Sequence, residues 1–87
     1  MNKMNETIAG IESKIDFWKK EVRAYFSELQ YLTKEMNKWT ENMIEDGNMD
    51  FFKRNSERII MITSDVNKYE GLISSHEQLL KTLKEQA

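Results

Sequence analysis

The feature that most limits how this chain can fold is a stripe of apolar residues that recurs in alternating steps of three and four. In the first half it occupies the a and d positions of a heptad repeat, at Ile8, Ile11, Ile15, Trp18, Val22, Tyr25, Leu29, Leu32, Met36, Trp39 and Met43. A period of 3.5 residues predicts a long helix that packs against another helix as a left-handed coiled coil. The chain contains no proline, so nothing in its composition forbids long helices.

The stripe stops close to the middle of the chain. Gly47 there is typical of a helix C-terminus, and Asn48 and Asp50 are candidate N-caps. It then restarts at Phe52, Asn55, Ile59, Ile62, Val66, Tyr69, Ile73, His76, Leu80 and Leu83. A short connection makes neighbouring helices antiparallel. We therefore predict one all-α domain over 1–87, an antiparallel helical hairpin with helices at about 5–45 and 51–85 and a turn at about 46–50.

The heptad pattern also suggests how the two helices are aligned. If a positions of one helix layer against d positions of the other, one register gives each facing a–d pair residue numbers that sum to 98. This register sets Glu12 beside Lys84 and Lys19 beside Glu77, whereas a shift of one heptad opposes Glu12 to Glu77. The opposite charges favour the first register.

A second set of apolar residues lies outside the a and d positions. Several occupy positions c and g, which adjoin d on a helical wheel and are expected to widen the apolar face. The candidate partner-binding residues are Phe17, Phe26, Tyr31, Phe51, Phe52, Ile60, Met61, Leu72 and Leu79. A chain of 87 residues buries only a small share of its surface on folding. An additional set of exposed apolar residues therefore indicates a partner. We expect a homodimer that forms a four-helix bundle.

Two residues near the turn allow more than one interpretation. Phe51 and Phe52 are either an exposed partner-binding knob or a plug that closes the end of the bundle against Trp39 and Met43. We favour the plug.

His76 and three carboxylates are the candidates for chemistry. His76, the only histidine, occupies a d position and is either a metal or haem ligand or a half-buried residue that fixes the register, as Asn55 could also do. We favour the structural role, because no Glu-x-x-His pair accompanies it. Glu28, Glu35 and Asp65 flank the stripe as solvated carboxylates do. We expect no cofactor, no metal and no enzymatic activity, since no nucleophile or phosphate-binding motif is present.

Composition bounds the remaining possibilities. Acidic and basic residues nearly balance at a net charge of -2, and the basic clusters at 19–23 and 53–58 alternate with acidic neighbours, so neither nucleic acid nor a membrane surface is the expected partner. No apolar run is long enough to span a bilayer, and a cytoplasmic location is expected. We predict a small protein-protein interaction module, an adaptor, inhibitor or assembly subunit. The alternatives are a chaperone-like or co-secreted helical partner of a larger protein and a metal- or haem-binding bundle using His76.

Overall fold

The protein is a helical hairpin in a computed structural model, which describes the backbone of residues 3–46 and 49–86 and the side chains of residues 3–38 and 49–86. Helix α1 spans Lys3–Asp46 and helix α2 spans Asp50–Gln86. The predicted turn residues Gly47 and Asn48, and the side chains of Trp39 and Met43, lie outside the described part.

The hairpin is a rod of 67 × 15 × 14 Å. A helix of 44 residues is about 66 Å long, so α1 alone accounts for the long dimension. The radius of gyration is 19.5 Å, whereas a compact domain of this length has about 12 Å. The protein therefore presents an unusually large surface for its size.

The second helix begins with a defined hydrogen bond. The amide of Lys53 donates to the carbonyl oxygen of Met49 at 2.9 Å. The N-cap is the residue whose carbonyl accepts the first helical hydrogen bond, so Met49 is the N-cap of α2. Asp50, a predicted N-cap, is instead the first residue of α2. Its negative charge there interacts favourably with the positive end of the helix dipole.

The predicted apolar stripe is the contact between the helices. The structure describes nineteen of its a and d side chains, and each of them is buried or half-buried. Six are buried, namely Ile11, Ile15, Val22, Leu32, Ile62 and Val66, and Ile62 has no exposed surface. Trp18 and Ile73 are both half-buried. The predicted pairing of two helices along one face is thus confirmed.

The register of this pairing differs from the predicted one. The ring contacts of Trp18 with His76 and of Tyr25 with Tyr69 each join two d positions, and their number sum of 94 agrees with the predicted register. The hydroxyl of Tyr25, however, is hydrogen-bonded to Asp65, which the predicted register would place about 12 Å away along the axis. The predicted register would also place Glu28 about 18 Å along the axis from Arg58, although their side chains are hydrogen-bonded. The predicted register is therefore wrong.

Candidate functional site

Two ion pairs mark the two sides of the hairpin. Lys19 and Glu77, both at e positions, lie 3.2 Å apart, as predicted. Glu28 and Arg58, both at g positions, form two hydrogen bonds of 3.1 and 2.8 Å, from Nε to Oε1 and from Nη2 to Oε2. In an antiparallel pair, e positions meet on one side and g positions on the other. We call these sides the e–b face and the g–c face, after the heptad positions on each.

The g–c face carries a polar network that ties the helices together. Besides the Glu28–Arg58 pair, the hydroxyl of Tyr25 donates to the carboxylate of Asp65 at 3.1 Å. This hydrogen bond is the main reason why the pKa of Tyr25 is raised above its usual value, with desolvation and the Asp65 charge adding to it. The hydrogen bond from Arg58 to Glu28 raises the pKa of Arg58 despite the opposing effect of desolvation. Two of the three carboxylates considered for chemistry are therefore engaged in pairing the helices.

The nine predicted partner-binding residues are mostly exposed. Phe52 and Leu72 are half-buried. The exposed ones are Phe17, Phe26, Tyr31, Phe51, Ile60, Met61 and Leu79, with exposures from 37% for Phe51 to 69% for Ile60. This many large exposed apolar side chains is unusual for a monomer of 87 residues.

These residues do not form the single widened face expected from the sequence. Phe26 follows Lys19 by one heptad and so lies on the e–b face, where Ile60 also lies between e positions 56 and 63. The other seven occupy c or g positions or, for Phe52, the seam, and belong to the g–c face or the end near the turn. The helical wheel of one helix does not show this division, because it depends on how the second helix is placed.

The e–b face is grooved along its length. One depression of about 600 Å³ is lined by Phe26, Leu29, Thr33 and Asn37 together with neighbours on α1. Further along, residues of both helices, including Ile15, Lys19, Glu77 and Leu80, line a second groove. Leu29 and Leu80 are seam residues, so these grooves reach down to half-buried apolar surface.

The ring of His76 contacts other groups of the hairpin. Its ring meets Trp18 edge-on at a centroid distance of 4.7 Å, and its Nδ1 lies 2.8 Å from the carbonyl oxygen of Leu72, to which it donates when protonated. Among the described residues no group of three or more histidine, aspartate or glutamate side chains is arranged to hold a metal ion. The Nδ1 atom of His76 is therefore engaged in a contact within the hairpin.

A polar side chain, that of Asn55, lies half-buried at the apolar seam. The Nδ2 atom of Asn55 is buried, and no hydrogen-bond partner is present for it in the described part of the chain. A buried amide without a partner lowers stability, so we expect Asn55 to weaken the contact between the helices.

Neither α1 nor α2, as far as they are described, has a stretch long and apolar enough to cross a bilayer. Comparisons with protein-family models, with curated proteins and with solved structures give no match to this chain.

Proposed function

We propose that this protein is a non-enzymatic protein-protein interaction module that acts by covering the exposed apolar surface of its hairpin with a helical partner. The simplest partner is a second copy, giving a four-helix bundle that serves as an adaptor, inhibitor or assembly subunit. The proposal rests on one observation, the excess of exposed surface.

The size of that excess supports an interface. The hairpin exposes 6780 Å², whereas a compact protein of 10.4 kDa exposes about 5,400 Å². The difference of about 1,400 Å² is more than the about 800 Å² that each partner contributes to a standard interface. Covering it would bring the protein to the surface area of an ordinary compact domain.

The half-buried seam points the same way. Thirteen of the nineteen described seam residues keep part of their surface exposed to water, because two helices alone leave the seam open on both sides. In a four-helix bundle, a second layer of helices closes one of those sides. Burial of apolar surface stabilises by about 25 cal/mol per Å², so a second layer would add substantially to a small core.

Analytical ultracentrifugation combined with thermal unfolding tests this function. We expect a dimer whose melting temperature rises with protein concentration, because association stabilises the folded state by mass action. A fully helical monomer with a concentration-independent melting temperature would count against an interface on this hairpin. A chain that is poorly helical alone and folds on mixing with a different protein would identify that protein as the partner.

A further inference from the structure

The distribution of charge differs sharply between the two faces of the hairpin near the turn. In residues 26–37 of α1 and 56–67 of α2, all eight e and b positions are uncharged; they are Phe26, Gln30, Thr33, Asn37, Ser56, Ile60, Thr63 and Asn67. In the same two ranges, four of the six g and c positions are charged, namely Glu28, Glu35, Arg58 and Asp65. Since 32% of the chain is charged, the eight residues form a distinct surface, here called the uncharged segment.

We infer that the uncharged segment of the e–b face is where a second copy of this chain docks. This inference rests on the proposed function and adds to it the face, the residues and the partner. Loss of charged residues with retention of large apolar ones is the compositional mark of an interface core. Phe26 and Ile60 supply the apolar part, with exposures of 48% and 69%.

A second copy fits this segment because the segment complements itself. A two-fold interface brings each patch against the same patch of the other copy, so a patch with a net charge would face the same net charge. The amides of Gln30, Asn37 and Asn67 each carry both donors and an acceptor. They can therefore pair with amides of the other copy, which carboxylates or ammonium groups cannot do with one another.

The remaining polar groups of the segment also suit burial. The hydroxyl of Thr63 already donates to the carbonyl oxygen of Ile59 at 2.8 Å, so covering it leaves no unmet donor. The groove lined by Phe26, Leu29, Thr33 and Asn37 gives the surface relief into which side chains of another helix can pack. Lys34 at its edge supplies a charge where an interface normally has its polar rim.

The g–c face offers a poorer site for self-association. Three of its four charged residues in these ranges are engaged in the contacts that align the helices, Glu28 with Arg58 and Asp65 with Tyr25. A second copy placed there would have to desolvate these groups against their own equivalents. Docking on the e–b face leaves them in water.

Adjacent residues on opposite faces give a matched test. Ile60 is 69% exposed on the e–b face, and Met61 is 52% exposed on the g–c face. We expect Ile60→Glu to raise the dimer dissociation constant by about 30-fold or more, the effect of losing a central anchor, and Met61→Glu to change it by about twofold or less. Sedimentation equilibrium measures both, with circular dichroism to show that each variant remains helical.

A second pair of variants and a distance measurement distinguish loss of the interface from unfolding of a variant. Phe26→Ser and Phe17→Ser remove exposed phenylalanines from the e–b and g–c faces respectively, and only Phe26→Ser should weaken the dimer. Spin labels on Thr33→Cys should be closer together between copies than labels on Lys68→Cys, which lies on the g–c face.

The outcomes separate the two proposals. Weakening by Met61→Glu and Phe17→Ser, with Ile60→Glu and Phe26→Ser unaffected, would overturn the inference and leave the interaction function standing on the other face. A wild-type protein that stays monomeric while binding a different helical protein would also overturn the inference alone. A stable monomer that binds nothing would remove both.

Discussion

Replacing Ile62 by alanine should cost this hairpin a large part of its stability. Ile62 has no exposed surface and belongs to the core cluster with Val22, Leu32 and Val66. The substitution removes three carbons at about 0.8 kcal/mol each, and the cavity left behind adds to this. We expect a loss of about 3 kcal/mol, within the range of about 2–5 kcal/mol for such substitutions, and a fall in melting temperature of about 12–24 °C.

Urea unfolding followed by circular dichroism, at one fixed protein concentration, measures this loss. Met61→Ala is the matched control, because Met61 is adjacent in sequence and 52% exposed, and we expect it to change stability by about 0.5 kcal/mol or less. Equal effects for Ile62→Ala and Met61→Ala would refute the assignment of Ile62 to the contact between the helices.

Three further predictions concern polar groups of the hairpin. Asn55→Leu should stabilise by about 1–3 kcal/mol in urea unfolding, because it replaces a buried amide that has no partner among the described residues; a loss of stability would show that Asn55 has one. The pKa of Tyr25 is raised above 10.0, so the stability it contributes should be complete below about pH 10 and be lost as pH rises through the higher folded value. Tyr25→Phe should reduce this alkaline loss, and an unchanged alkaline profile would contradict the hydrogen bond to Asp65. Arg58→Lys should lower the melting temperature at low salt and much less at high salt, since lysine keeps the charge but not the paired hydrogen bonds to Glu28; no change at low salt would argue against the pair.

The contact between the helices was readable from the sequence because it depends on a local period. Each a and d position is set by its neighbours three and four residues away, so the stripe identifies the buried side of each helix before the fold is known. Trp18 and Ile73, far apart in sequence, are both found on that side. The Lys19–Glu77 pair was also predicted correctly.

The register could not be read in the same way, because a heptad pattern matches itself after every shift of seven residues. The choice among registers used charges on the e–b face alone. The contacts that distinguish the registers lie on the other face, where Arg58 reaches Glu28 and Tyr25 reaches Asp65. Each of these pairs is separated by at least 30 residues in the chain, so no local pattern relates its members.

The division of the exposed apolar residues between two faces was missed for a related reason. Positions e and g lie on either side of the seam, but they belong to two separate faces only when the second helix covers the seam between them. A signal was nevertheless present in the sequence, since the e and b positions of 26–37 and 56–67 contain no charge. Comparing charge by heptad position would have revealed it.

The distance between the two helices far from the turn tests the hairpin itself most directly. The chain has no cysteine, so Ser13→Cys and Lys81→Cys can carry one spin label each, with excess unlabelled protein present to isolate distances within one chain. The hairpin predicts a short distance, set by the about 10 Å between packed helix axes and the arms of the labels. A single continuous helix would hold the two sites about 100 Å apart, and a distance of that order would contradict the fold on which the interaction surface depends.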